Sequence, residues 1–142
     1  MEQPRLRPFL DTNVIFSGLR GSGPPSAILE RHVAGEITIV VSRLVLDELV
    51  RTIRRKHPAI LPVVGVFLTN APPEVCDDPT PEAFDAALRC IHPKDAPILA
   101  AALQSRVDCI VSGNTRHFTP EAARCAGMTF LTPAAYLADL SR

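Results

Sequence analysis

The sequence predicts an α/β domain with a mostly parallel central sheet of about five strands. Short runs of apolar or β-branched residues alternate along the chain with longer segments of helical periodicity, which is typical of this class. Several helical segments open with a capping residue followed by proline, a pattern that favours a helix start. The 142 residues contain no linker, internal repeat or low-complexity tract. We therefore expect residues 1–142 to form a single domain.

The five expected strands are short runs, each bounded by turn-forming or polar residues. Two of them are β-branched or apolar almost throughout, reading Ile-Thr-Ile-Val-Val and Val-Asp-Cys-Ile-Val. The third and fifth runs are the weaker ones. In chain order, the five runs are Pro8–Leu10, 37–41, Glu74–Cys76, 107–111 and 128–131.

The expected helices lie between these runs. Apolar residues recur at helical spacing in Arg43–Lys56, and Ser42 is placed to cap its first turn. A start at Pro24 opens a helix that runs through Gly35. Residues 60–69 form another helical segment, which Pro62 can bend, and residues 98–103 are apolar enough to lie on a sheet. Thr-Pro pairs open the remaining helices at 80–81, 119–120 and 132–133.

The charges of the chain balance. Fifteen Lys and Arg face fifteen Asp and Glu, so the formal net charge is zero. A neutral chain is not expected to coat nucleic acid through net charge alone. With 46% apolar residues it is not an acidic disordered tail either, and it should fold around one core.

Secretion and membrane residence are not supported by the sequence. No stretch approaches the roughly 18 to 20 apolar residues of a membrane span, and the first residues lack an apolar leader segment. The four cysteines, at positions 76, 90, 109 and 125, contain no Cys-x-x-Cys pair. Neither a zinc site nor a redox motif is indicated. We expect a cytoplasmic protein with reduced, mostly buried thiols.

Four oxygen-bearing side chains are expected near one edge of the sheet, because ligands of open parallel sheets bind beyond the carboxyl ends of strands. Asp11 directly follows the first strand, and Asn114 follows the fourth. Glu48 lies on the helix after the second strand, and Asp95 opens the helix before the fourth. Each also has an ordinary structural explanation: a turn or helix cap for Asp11 and Asp95, an ion pair with Arg51 for Glu48, and a turn for Asn114.

The segments around these four residues resemble, in order and rough spacing, the PIN-domain family, which includes the VapC-like toxins of bacterial toxin–antitoxin systems. The resemblance covers nearly the whole chain, from about Pro8 to Leu137. Each motif alone is weak, but four in sequence are strong. The motifs are Phe-Leu-Asp-Thr-Asn-Val-Ile at 9–15, Val-Leu-Asp-Glu-Leu at 45–49, Asp-Ala-Pro-Ile-Leu-Ala-Ala-Ala at 95–102 and Asp-Cys-Ile-Val-Ser-Gly-Asn-Thr-Arg-His-Phe at 108–118.

The resemblance implies a metal-dependent endoribonuclease with a three-layer α/β/α sandwich. Asp11, Glu48 and Asp95 match the three acidic positions of the family, which hold Mg²⁺ or Mn²⁺ and carry the chemistry. Asn114 stands where many members carry a fourth Asp and is expected among the metal ligands. Two small hydroxyl residues match positions that border the site, Thr12 and Ser112, and Ser112 stands where Thr is commoner.

Elementary chemistry agrees with this implication. Oxygen donors suit Mg²⁺ better than Zn²⁺, and about three clustered negative charges would repel a phosphodiester unless a cation offset them. RNA would have to be held by local basic groups, of which Arg51, Arg116 and His117 are the expected substrate-binding residues. Others are Arg20, in a glycine-rich loop expected at residues 18–23, and the basic residues 54–57. The chain has few aromatic side chains on which RNA bases could stack: one Tyr, six Phe and no Trp.

The leading hypothesis is a Mg²⁺- or Mn²⁺-dependent endoribonuclease that acts as the toxin of a toxin–antitoxin pair. Its expected partners are RNA, a cognate antitoxin and a second copy of the chain, with no membrane. Three alternatives stay open: an RNA-processing nuclease without antitoxin, a PIN-fold binding module weakened by Asn114, and an unrelated α/β protein in which the four residues are caps and turns. The apolar residues 63–68 are expected to close the core rather than form an interface.

Overall fold

A computed structural model describes residues 6–141 and contains a five-stranded parallel sheet. The strand order is β3-β2-β1-β4-β5, and every neighbouring pair is parallel. The predicted class and all five strand positions are therefore confirmed, although three strands are shorter than expected or shifted, because strand pairing covers only part of each of these predicted runs. The strands are β1 Pro8–Leu10, β2 Val40–Ser42, β3 Glu74–Cys76, β4 Cys109–Val111 and β5 Phe130–Leu131. The single-domain prediction for residues 1–142 includes Met1–Arg5 and Arg142, which lie outside the described residues.

Helices connect the strands in the described part of the chain. Thr80, Thr119 and Thr132 each cap a helix through the side-chain oxygen, which accepts a hydrogen bond from the backbone N–H three residues later. The predicted Thr-Pro starts are therefore confirmed. The helices are α1 Thr12–Arg20, α2 Pro24–Val33, α3 Arg43–Lys56, α4 Leu61–Asn70 after a 3-10 turn at Pro58–Ile60, α5 Pro81–Leu88, α6 Ala96–Leu103, α7 Pro120–Ala126 and α8 Pro133–Leu140.

The three central strands are covered on both faces. Every residue of β1, β2 and β4 is buried, although successive side chains of a strand point to opposite faces of the sheet. Helices must therefore pack on both sides, as the three-layer prediction requires. Helix α6 contributes most to this core, since six of its eight residues are buried.

Helix α4 has one face in the core and one in solvent. Val64 and Phe67 are buried, whereas Val63 and Val66 are 48% and 59% exposed. The expectation that residues 63–68 close the core therefore holds for one face of the helix only. None of the helices in residues 6–141 combines the length and apolar character needed to cross a bilayer.

The prediction of a glycine-rich loop at residues 18–23 is wrong for residues 18–20, because α1 continues as a regular helix to Arg20. The reason is close packing between α1 and α2. Gly18 is buried, and a Cβ added there would lie 2.6 Å from Leu29 Cδ1 and 2.9 Å from the Pro25 carbonyl oxygen. Glycine at this position allows the close approach of the two helices.

The expectation of four reduced thiols is wrong for two of them. Cys90, just after α5, forms a disulfide with Cys125 in α7, across a sequence separation of 35 residues. No spacing motif reveals this pair, since the two segments become neighbours only through the fold. Cys76, which is half-buried, and Cys109, which is buried, lie outside this disulfide.

Gly18→Ala should destabilise the protein by about 1–3 kcal/mol, since the added methyl group overpacks the contact between α1 and α2. Gly65→Ala is the matched control, because Gly65 lies in α4 with nothing within 4 Å of its added Cβ. That change should stabilise the helix by about 0.5–1 kcal/mol. Urea unfolding of both variants measures the difference. A Gly18→Ala variant as stable as the wild type would contradict the packing described here.

Candidate active site

A cavity of about 340 Å³ opens at the carboxyl edge of the sheet. It brings together residues from the β1–α1 junction, α3, the start of α6 and the loop after β4. The three acidic residues singled out in the sequence, together with Thr12 and Asn114, all line it. The complete lining is Asp11, Thr12, Asn13, Phe16, Glu48, Thr52, Lys56, Lys94, Asp95, Ile98 and Asn114.

Asp11 is the most constrained of the acidic residues. Its side chain is buried directly after β1, where Oδ1 accepts from the Thr12 N–H at 2.8 Å and Oδ2 accepts from Ser112 Oγ at 2.8 Å and Asn13 Nδ2 at 3.2 Å. Burial raises the pKa of Asp11, against the opposing effect of the Ser112 and Thr12 hydrogen bonds, and the charges of Asp95 and Glu48 raise it further. The site therefore disfavours the Asp11 anion unless a cation is present.

Glu48 reaches the same cavity from α3. Its Oε2 accepts a hydrogen bond from Thr12 Oγ1 at 3.0 Å. The hydrogen bond to Thr12 ties α3 to the first turn of α1. The ordinary explanation for Glu48 was an ion pair with Arg51, but Arg51 is exposed and does not line the cavity.

Asp95 is buried at the start of α6 and does not act as the expected helix cap. Its side chain makes no capping hydrogen bond. Instead, Asp95 Oδ2 lies 2.5 Å from His117 Nδ1. Helix capping therefore does not explain why a carboxylate stands at position 95.

The loop after β4 supports Asp11 and Asp95 from the other side. Ser112 is buried and donates to Asp11, while its Oγ accepts from the Asn114 backbone N–H at 3.0 Å. Asn114 Nδ2 lies 3.2 Å from His117 Nδ1. Ser112 thus positions Asp11 from behind the cavity, while Asn114 faces the cavity itself.

Several residues that line the cavity were not predicted from the sequence as site residues, and Lys94 and Phe16 are the most informative of them. Lys94 directly precedes Asp95, and with Lys56 it accounts for both lysines of the chain. The ring of Phe16 faces Arg20, whose guanidinium carbon lies 5.2 Å from its centroid. Adjacency to Asp95 could have identified Lys94, but nothing in the sequence distinguishes Phe16 from other apolar helix residues. Arg116, expected to bind substrate, is exposed and lies outside the lining.

A second cluster of potential metal ligands shares Asp95. The ligand atoms of His92, Asp95 and His117 all lie within 4.8 Å of one another. His117 is one of the residues predicted from the sequence to bind substrate, whereas His92 has no predicted role. No spacing motif connects the two histidines, which are 25 positions apart in the sequence.

Buried carboxylates meet here at the carboxyl edge of an open parallel α/β sheet, the edge at which such sheets bind their ligands. A model of the PIN domain matches residues 7–116 of this chain. The chain belongs to the PIN-domain family, as the sequence motifs indicated.

Two solved structures have a similar fold. The crystal structure of FitAcB from Neisseria gonorrhoeae has a TM-score of 0.63 and 18% identity, covering 89% of this chain and 98% of that one. VapBC2 from Rickettsia felis, bound to a DNA fragment from their promoter, has a TM-score of 0.64 and 19% identity, with the same coverage. At these identities the similarity concerns the fold. A comparison with curated proteins finds no match.

Mn²⁺ should stabilise the wild-type protein against heat at neutral pH. The pKa of Asp11 is raised in the folded protein. Without cations, the free energy of unfolding therefore falls as the pH rises from 3.8, the ordinary pKa of Asp, to the higher pKa of the folded state. A bound cation offsets this loss, and at 100 times its Kd it contributes about 2.7 kcal/mol. Thermal unfolding with and without Mn²⁺ measures the shift, which Asp11→Asn should largely remove. An equal shift in wild type and Asp11→Asn would place the cation elsewhere.

Proposed function

We propose that this protein is a Mg²⁺- or Mn²⁺-dependent endoribonuclease that hydrolyses RNA phosphodiester bonds, and that it is the toxin of a toxin–antitoxin system. One observation carries the proposal: Asp11, Glu48 and Asp95 come from three separate elements and line one cavity, although burial, and then the charges of Asp95 and Glu48, raise the pKa of Asp11. Such an arrangement costs stability unless it serves a cation. Membership of the PIN-domain family supports the same conclusion, since PIN domains are generally nucleases.

The donor set fits a hard cation. Asp11, Glu48 and Asp95 supply carboxylate oxygens, and Asn114 can add its amide oxygen without adding charge. Mg²⁺ and Mn²⁺ prefer such oxygen ligands, often with substrate phosphate completing the set. When bound, the cation supplies Lewis-acid polarisation of the phosphoryl group and offsets its charge.

The residues around the carboxylates have distinct roles in this proposal. Glu48 is held by Thr12 through Oε2, so Oε1 can orient an attacking water and accept its proton. Asp11 is fixed in place by Ser112 and the Thr12 N–H. In-line attack on phosphorus with departure of the 3′ oxygen leaves a 5′-phosphate and a 3′-hydroxyl. These product ends are what the family resemblance implies.

RNA binding rests on local charge, because the chain has no net charge. Lys56 and Lys94 line the cavity and can contact non-bridging phosphate oxygens, while Phe16 offers an apolar face at the same opening for a base. Arg51 and Arg116 would extend this contact outside the cavity. Binding should be modest and strongly dependent on salt.

The partner proposals rest on other observations. The resemblance to VapC-like toxins and the VapBC2 name of one similar structure support a cognate antitoxin. An apolar groove with exposed Val33, Val63 and Val66 is the kind of surface that protein partners cover, which is consistent with an antitoxin or a second copy of the chain. We propose a cytoplasmic location, where RNA is available, although the Cys90–Cys125 disulfide is unusual for a reducing compartment.

A binding module without catalysis is the second candidate function. It is favoured by Asn114, which replaces a fourth carboxylate, and by the contact between Asp95 and His117, which competes with a cation for that carboxylate. An RNA-processing nuclease without antitoxin has the same site chemistry. A small open reading frame abutting the gene would favour the toxin over that alternative.

Incubation of the purified protein with structured RNAs and Mn²⁺ should yield cleavage products with 5′-phosphate ends. Glu48→Gln should reduce the rate about 10²–10⁴-fold, because it removes the proposed base, and Asp11→Asn should reduce it at least as much. The matched control is Asp47→Asn, since Asp47 is exposed and neighbours Glu48 on α3. Analysis of end groups and cleavage rates provides the measurement.

Two outcomes would contradict the nuclease proposal. Cleavage that persists in chelator, or that survives Asp11→Asn undiminished, would exclude the proposed metal chemistry. RNA binding without cleavage of any RNA in Mn²⁺ would identify the binding module instead.

A further inference from the structure

We propose that His92, Asp95 and His117 form a second cation site, specific for a transition ion that accepts nitrogen ligands, with Zn²⁺ as the best-suited ion. This site adjoins the carboxylate cavity and shares Asp95 with it. Its ligand chemistry differs, because two of its three donors are imidazoles. The proposal concerns cation binding and does not depend on RNA cleavage.

The geometry of the cluster is close to that of a bound ion. The three ligand atoms lie within 4.8 Å of one another, whereas Zn–N bonds of about 2.0–2.1 Å place tetrahedral ligands about 3.4 Å apart. The ligand atoms must therefore move by about 1 Å to reach the separation expected around a bound ion. His92 can make this movement, because it is exposed in the turn before α6.

His117 and Asp95 are already oriented toward each other. Asp95 is buried, and its Oδ2 lies 2.5 Å from His117 Nδ1. An ion that replaces the proton between these two atoms would bind both of them, once they separate from 2.5 Å to roughly 3.4 Å. Among the hydrogen bonds of residues 6–141, none occupies Asp95 Oδ1, so that oxygen is also available to an ion.

His92 is held against His117 by stacking. The two ring centroids are 4.4 Å apart and the rings are within 2° of parallel. His92 Nδ1 accepts the Lys94 backbone N–H at 3.0 Å. Binding an ion through Nε2 requires the proton to move to Nδ1, which breaks this exposed hydrogen bond. Because a bound ion lies in the plane of each imidazole that holds it, the exposed His92 ring must also turn out of the parallel stack.

The other two histidines of the chain have different surroundings. His32 uses both ring nitrogens, since Nδ1 accepts from the Ile39 N–H at 3.1 Å and Nε2 donates to the Ala71 carbonyl oxygen at 2.9 Å. His57 lies beside Phe16, with ring centroids 5.7 Å apart. Only His92 and His117 belong to a metal-ligand cluster in the part of the chain that the structure describes.

The disulfide is a second, independent observation that favours this site. Cys90 is two residues before His92, and its partner Cys125 lies in α7, which begins three residues after His117. The bond therefore ties together the two segments that carry the histidines. Segments held in place before binding lose less conformational freedom when a ligand binds, which favours affinity.

The donor set determines the class of ion. Imidazole nitrogens suit Zn²⁺ and similar transition ions, whereas Mg²⁺ prefers oxygen ligands. The carboxylate cavity and the histidine cluster should therefore differ in selectivity although they share Asp95. Three protein ligands leave the fourth tetrahedral position of Zn²⁺ open to water or to another oxygen ligand.

Calorimetric titration of the full, disulfide-bonded chain with Zn²⁺, in millimolar Mg²⁺, tests the proposal. We expect one Zn²⁺ per chain and an affinity that falls about 10–100-fold in His92→Gln and in His117→Gln. The matched controls are His57→Gln, which removes a histidine outside the cluster, and Glu48→Gln, which alters only the carboxylate cavity. Both should bind Zn²⁺ like the wild type. Visible absorption of bound Co²⁺ provides a second readout, and thermal unfolding confirms that each variant is folded.

Three results would overturn the proposal: no Zn²⁺ binding by the wild type in Mg²⁺, equal affinity in folded His92→Gln, or loss of binding in Glu48→Gln with retention in His92→Gln. The last result would place the ion in the carboxylate cavity. Zn²⁺ binding without any RNA cleavage would contradict the nuclease proposal alone.

Discussion

The buried carboxylate of Asp11 is the constraint on which the rest of the site depends. It lies at the end of the central strand β1, where burial raises its pKa and the charges of Asp95 and Glu48 raise it further. Three neutral donors, the Thr12 N–H, Ser112 and Asn13, hold its oxygens in place but bring no positive charge. A cation is the simplest means of making this arrangement favourable.

The strand order explains why the carboxylates meet. The chain moves from β1 to β2 and β3 on one side, and then crosses over to β4 and β5 on the other. The β1–β4 boundary is therefore the point where the direction reverses, and loops from both halves diverge there to leave a crevice. Asp11 follows β1, Asn114 follows β4, and α3 and α6 bring Glu48 and Asp95 to the same edge. The function is thus tied to topology rather than to any single motif.

Local rules predicted much of the fold. Ser42 and the apolar spacing after it defined α3 with its observed bounds, and the Thr-Pro starts were found because capping acts over three residues. Contacts between distant segments could not be predicted in this way. The local sequence around Gly18 is typical of a loop, and only the packing of α2 against it shows why glycine is required there. Cys90 and Cys125, like His92 and His117, are far apart in the sequence and come into contact only in the folded protein. Asp95 is a further example. Its local sequence predicted a helix cap, but its side chain contacts His117, which is 22 residues away in the sequence.

The central claim is that the carboxylate cavity holds a divalent cation, and anomalous diffraction from crystals grown with Mn²⁺ tests it most directly. The account predicts an anomalous peak in the cavity within coordination distance of carboxylate oxygens of Asp11 and Asp95. A map with no peak there, in crystals where Mn²⁺ is bound elsewhere, would contradict it.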